Sequence, residues 1–176
     1  MSQNQKPNMI NFLLFGGIGV SILVVAFGIY LMMSGNDSMF SDGDGSIKRI
    51  EFSTFIRGEA LDDYLICPED YCTSTRPDAI SPEIGQSVNL LRDKLLTFVD
   101  SQPNINIHEL DPVNQQFTFI THDSSKPFPD VITVRLIALT NNISTMAIYS
   151  RTLIGEVRAN LNKDRAERWL ALLSRD

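Results

Sequence analysis

The stretch "DVITVRLIALTNNISTMAIYSR", residues 130 to 151, decides how the rest of the chain is read. Asp130 to Leu139 is apolar on both faces except at Arg135, and Ser144 to Arg151 is rich in β-branched and aromatic residues. Such residues suit a pleated, packed surface, so each run predicts a strand. Asn141 and Asn142 fall between the runs, where a tight hairpin needs residues that tolerate positive φ.

Two further strands precede this hairpin. "NINIHEL", residues 104 to 110, alternates, and so does "QQFTFITH", residues 115 to 122, which places Phe117 and Phe119 on one side. The turn signals "DPVN" and "SSKPFP" separate the segments, and the four together predict an antiparallel meander. Helical patterns flank it. In "SPEIGQSVNLLRDKLLTFVDSQ", residues 81 to 102, Ser81 is the expected N-cap and Pro82 the first helical residue, with Glu83 in the first turn. Ile84, Val88, Leu91, Leu95 and Phe98 make its apolar face. After the meander, Asn162 is expected to cap a last helix that turns Ala166, Trp169, Leu170 and Leu173 inward. Upstream, "IKRIEFSTFI", residues 47 to 56, reads as a first strand, and Gly58 to Pro82, broken by Pro68, Pro77 and Pro82, as a long loop. The order is strand, loop, helix, four strands, helix. It predicts an α+β domain over residues 47–176, two layers deep, with an antiparallel meander sheet and its helices on one face.

The chain has 176 residues, enough for one domain and an appendage. Its formal charge of −6 offers no basic field for a phosphate backbone, so nucleic acid is excluded as a partner. The appendage is "MINFLLFGGIGVSILVVAFGIYLMM", residues 9–33, which carries no charge. As a helix it would be about 37 Å long, enough to cross a hydrocarbon core of about 30 Å. The apolar run is longer than a signal peptide's, and no A-x-A site follows it, so an uncleaved transmembrane helix is expected. Lys6 and the amino terminus are the positive charges before the span, whereas Asp37, Asp42 and Asp44 follow it. The positive-inside rule then keeps residues 1–8 in the cytoplasm and exports the C-terminal domain, with the span in the inner membrane and the domain periplasmic. Gly17, Ser21 and Gly28 fall within roughly 40° of one another on this helix, a small-residue face for contact with another membrane helix. Residues 34–46, rich in Gly, Ser and Asp, read as a flexible tether. "DGDGS" within it is no calcium loop, because counting from Asp42 the sixth position is Ile47 and the twelfth Ser53.

Both cysteines lie in "CPEDYC", residues 67 to 72, which admits a metal clip, a redox pair or a structural staple. Zinc needs about four ligands, and neither His108 nor His122 stands at a metal spacing from Cys67 and Cys72. Redox chemistry of the thioredoxin type prefers C-x-x-C opening a helix. On the exported side of a membrane a structural disulfide is the remaining expectation. "THDSS" makes no triad in the absence of a nucleophile elbow, and "NIS" at residues 142 to 144 is a chance-level glycosylation sequon. Arg151, Arg158, Arg165 and Arg168 gather where the last strand gives way to the last helix. Asp130, Ser150, Arg151 and Arg165 are therefore a candidate anion or ion-pair site, in which guanidinium forks meet carboxylate or phosphate. Arg135, on an otherwise apolar strand, calls for a carboxylate partner. No catalytic set, metal or cofactor is expected.

The segment from Phe128 to Leu173 resembles the domain of unknown function 1499 family, an uncharacterised, membrane-associated or exported family. That family carries an early C-P-x-x-P-N-C-like element, an F-x-D segment before a strand, and S-R-x-G-x-x-D-x-G-x-N-x-x-R running into the last helix. Cys67, Pro68, Cys72, Phe128, Asp130, Ser150, Arg151, Gly155, Asn162 and Arg165 match these. The family's aspartate is Arg158 here, its second glycine is Asn160, and its "P-N-C" is the shorter "DYC". The resemblance implies a membrane-associated or exported α+β domain and supplies no reaction. Together these readings predict a binding or accessory module that partners an envelope protein. The alternatives are an envelope thiol-disulfide redox protein using Cys67 and Cys72, and a carrier of a lipid or other apolar ligand.

Overall fold

A computed structural model describes residues 47–58, 60, 62–122, 128–154 and 160–175. The expected transmembrane helix over 9–33, with Gly17, Ser21 and Gly28, and the tether over 34–46 lie outside the described residues, as do Gly155 and Arg158. Among the described residues no helix is long and apolar enough to cross a membrane.

Six strands form one mixed sheet in the order β2-β1-β6-β5-β4-β3. The strands are β1 (Asp62–Cys67), β2 (Ala79–Ile80), β3 (Ile105–Asp111), β4 (Gln116–Thr121), β5 (Asp130–Ala138) and β6 (Ser144–Thr152). The helices are α1 (Val88–Asp100) and α2 (Leu161–Leu173), so the fold is α+β. The meander from β3 to β6 is antiparallel, as its alternation and turns predict. The β5–β6 hairpin closes over Leu139 to Ile143, where Thr140 Oγ1 accepts from the amides of Asn142 and Ile143. A bulge at His108 shifts the register between β3 and β4.

Two strands sit where a loop was expected. β1, "DDYLIC", pairs antiparallel with β6 through Tyr64 opposite Ser150 and Ile66 opposite Ile148, and β2 pairs with β1 in parallel. The prolines that argued for a loop, Pro68, Pro77 and Pro82, all fall outside these two strands. The expected first strand, residues 47 to 56, makes no ladder. It is an irregular strap across the face of the sheet opposite the helices, turning where Thr54 N–H donates to Glu51 O. Two of its apolar side chains are nevertheless buried. Ile50 and Phe52 pack with Leu65, Cys67, Cys72, Ala147 and Tyr149 in a second core.

The main core lies on the helix side. Leu91, Leu95 and Val99 of α1 and Ala166, Trp169 and Leu173 of α2 meet Phe117, Phe119, Ile132, Val134, Leu136, Met146 and Ile148 of the sheet. Phe98 and Phe119 stand against Trp169 with ring centroids 5.1 and 5.5 Å away. β6 is buried along its whole length because its alternate residues serve both cores.

Both helix starts differ from expectation. α1 is capped by Ser87, whose Oγ accepts from Leu90 N–H, and not by Ser81. The backbone of Ser81 is already engaged by Cys67 O, and Ile84 bridges to Ser144 in both directions, so residues 81 to 84 stay extended. α2 starts after Asn160, whose φ of 65° is left-handed, a conformation that asparagine tolerates. Asn162, the expected cap, lies inside the first turn and points into the protein.

Candidate functional site

Strand alternation divides the four residues of the candidate site between the two faces of β6. Ser150 and Thr152 face the helices, and Arg151 between them faces the strap. The structure therefore brings together Asp130, Ser150 and Arg165 but not Arg151.

On the helix side, Arg165 reaches from α2 across the end of β6 to β5. Its Nη2 stands 2.6 Å from Asp130 Oδ2, and its Nη1 donates to Ser150 Oγ at 3.1 Å and Asn162 Oδ1 at 3.0 Å. Ser150 Oγ also donates to Asn162 Oδ1, and Thr152 Oγ1 donates to Asp130 Oδ1. The Asn162 amide donates to the backbone carbonyl and the carboxylate of Asp62 and to Thr152 Oγ1. Asp130 is 1% exposed. Such an ion pair holds only when its remaining lone pairs and protons are satisfied, and here hydroxyls and an amide do that. Both terminal nitrogens of Arg165 have partners inside the protein. The arrangement ties β1, β5, β6 and α2 together. Sequence reasoning missed Thr152 and Asp62 and gave Asn162 a capping role. Parity with Ser150 places Thr152, whereas nothing in the sequence brings Asp62 close. Arg165 also lines a hollow of about 440 Å³ with Phe98, His122, Asp164, Arg168 and Trp169. His122 there is exposed and contacts Asn106 at 3.2 Å.

On the strap side lies a cleft of about 500 Å³, lined by Ile50, Phe55, Arg57, Tyr149, Arg151 and Leu153 among others. Tyr149 forms its floor, with its hydroxyl donating to Asp63 Oδ2 at 2.6 Å and its ring 4.6 Å from that of Phe55. Burial first, then the hydrogen bond to Asp63 and that residue's charge, hold the Tyr149 hydroxyl far above the usual tyrosine range. Arg57 pairs with Asp63 and Asp78, and Arg49 with Glu109 and Asp111. Arg151 lies with its guanidinium carbon 5.4 Å from the centre of the Tyr149 ring and donates from Nη2 to Lys48 O at 3.0 Å. Burial lowers its pKa, opposed by Tyr149 and Asp63. On the same face, Arg135 is half-buried and its Nη1 has no hydrogen-bond partner.

Cys67 and Cys72 are joined at disulfide distance, with Cα atoms 6.2 Å apart. Cys67 ends β1 and is fully buried, and Cys72 is nearly so. Among the described residues no three or more His, Cys, Asp or Glu side chains are grouped to hold a metal.

No family model matches the chain. No curated protein matches it. Solved structures similar to it include an uncharacterised protein from Bacillus thuringiensis, 15% identical, with 53% of this chain and 93% of that chain covered and a TM-score of 0.42. The protein XoxI from Bacillus cereus is also 15% identical, with 53% and 89% covered and a TM-score of 0.42. The ZhuI aromatase/cyclase from Streptomyces sp. R1128 is 11% identical, with 53% and 80% covered and a TM-score of 0.32.

Proposed function

We propose that the chain is a single-pass membrane protein of the cytoplasmic membrane, anchored by residues 9–33, whose exported α+β domain is a binding or accessory module for an envelope protein. The observation that carries this reading is the Cys67–Cys72 pair at disulfide distance. Disulfides persist in exported compartments and are rare in the cytosol, so the pair and the apolar run point to the same side of a membrane. Membership of the domain of unknown function 1499 family belongs to the same proposal. It is supported by the meeting of Asp130, Ser150, Asn162 and Arg165, all residues of the resemblance, in one network.

The two alternatives have less support. Thiol exchange needs an accessible sulfur, and both cysteines are buried. A carrier of an apolar ligand needs an apolar space between sheet and helices. There Trp169, Phe98 and Phe119 pack ring against ring, and the hollow of about 440 Å³ beside them has Asp164, Arg165 and Arg168 in its lining.

The test is crosslinking in intact membranes followed by partner identification, with thiol labelling of whole cells beside it. The expected result is a covalent adduct with an envelope protein, and cysteines that react only after reduction. A chain that alkaline carbonate washes off the membrane, or whose cysteines label without reductant, overturns the reading.

A further inference from the structure

We infer that the cleft beneath the strap is a binding site for a small organic anion, whose phosphate or carboxylate head is held by Arg151 and Arg57. The inference rests on the binding-module reading and names a ligand class for it.

Arg151 is 6% exposed, yet its Nε is buried without any hydrogen-bond partner. No carboxylate lies within ion-pairing distance of it among the described residues. Arg49, Arg57 and Arg165 show the contrast, since each is paired with at least one aspartate. The carboxylate of Asp63, its cross-strand neighbour on β1, and the Tyr149 ring offset part of the cost of taking the Arg151 guanidinium out of water, but neither fills Nε. Arg57, which also lines the cleft, has a buried Nε without a partner as well, while its terminal nitrogens pair with Asp63 and Asp78. The Nε edge of a guanidinium is one side of the fork that grips carboxylate or phosphate.

Size and lining narrow the ligand further. The volume of about 500 Å³ falls within the range of about 300–1,000 Å³ typical of small-molecule sites. Ile50, Phe55, Ile56 and Leu153 share the walls with Lys48, Arg49, Thr54 and the acidic Glu51, so the lining is mixed and leaves room for a short apolar body behind the charged head. A phospholipid head and a free small molecule share this chemistry.

The test uses the full chain reconstituted in discs of phosphatidylcholine, titrated in turn with inorganic phosphate, hexanoate and hexyl phosphate. Arginine Nε–H resonances and the thermal midpoint are followed. The expected result is a saturable shift of the Arg151 resonance and a midpoint that rises with ligand. Arg151→Met abolishes both responses while the unliganded variant still folds. Where that variant does not fold, Arg151→Lys keeps the charge without the fork and binds about tenfold more weakly. Arg92→Gln, on the exposed side of α1, responds as the wild type. A shift in phosphatidylglycerol discs without added anion identifies a lipid head as the source, and a response to the soluble probes alone identifies a free molecule. Silence toward all three probes and phosphatidylglycerol, or an undiminished response in Arg151→Met, overturns the site. A chain that crosslinks to an envelope protein but shows no Arg151 response overturns the anion site alone and leaves the binding-module reading standing.

Discussion

Arg151 and Arg165 carry the same charge, fourteen positions apart, and the fold treats them in opposite ways. Arg165 has Asp130, Ser150 and Asn162 around it, and removing it takes an ion-pair partner from a carboxylate that is 1% exposed. Breaking a buried pair from one side costs about 3 kcal/mol or more, so Arg165→Gln should lower the unfolding free energy by about 3 kcal/mol in urea titrations. That the two arginines part company was readable in the sequence. Ser150 and Arg151 are neighbours on one strand, so one faces the helices and the other cannot, and nearness in sequence had masked this parity. The convergence of Asp62 and Asn162 was not readable, because it depends on β1 lying beside β6 across most of the domain. Tyr64, half-buried, and Tyr149, buried, make a second residue-scale prediction. In the unfolded chain tyrosine ionises near 10. Folded, Tyr64 is pushed up to about 12, by burial and then by its hydrogen bond to Glu167, and Tyr149 is pushed up further. The unfolded chain therefore releases its protons first, and stability present below about pH 10 is lost as the pH rises toward about 12. Tyr149→Phe should lose less stability than the wild type between about pH 9 and 11, measured as the change in urea midpoint of each.

At the scale of elements, the strap is where pattern and structure diverge most usefully. Residues 47 to 56 were expected to form a strand, and Ile50 and Phe52 are buried while Ile56 is exposed, yet no neighbouring strand takes up their backbone. Side chains replace the ladder. Gln116 Nε2 donates to Ile50 O, Arg49 ties the segment to Glu109 and Asp111 of β3, and Thr73 Oγ1 donates to Ser53 O. β1 shows the reverse error. These six residues lie in a stretch read as an acidic loop broken by Pro68, Pro77 and Pro82, but Asp62 and Asp63 have partners in Asn162 and in Tyr149 and Arg57. The strap's hold is concentrated in Phe52, which is fully buried against Leu65 and Tyr149. Phe52→Ala should cost about 3–5 kcal/mol, the range for emptying a buried aromatic site. The same variant should expose Tyr149, read as a faster alkaline ionisation of that hydroxyl in the tyrosinate absorbance.

For the whole molecule, the question is whether the two cores open together. The meander and both helices are built from segments adjacent in sequence, and they share the larger core. β1 and the strap join from far away in sequence and supply most of the smaller one, β2 touches the larger core through Ala79, and both β1 and β6 have side chains in each core. Long-range pairing of this kind carries a loop-closure cost that hairpins avoid, which places the strap side at the weaker end of the stability range. The disulfide acts on that side, since Cys67 and Cys72 both lie in the smaller core. Closing a loop of six residues is worth about 2 kcal/mol in the chain-entropy model. Reduction, or the double Cys67→Ser and Cys72→Ser substitution, should therefore speed amide hydrogen exchange in β1, β2 and residues 47 to 57. It should leave exchange between β4 and β5, and between β5 and β6, close to that of the oxidised chain. If protection instead falls equally in all six strands, the two cores are one cooperative unit. A ligand held at Arg151 would then stabilise the helix side as strongly as the strap, whereas separate opening confines that stabilisation to the face on which the ligand sits.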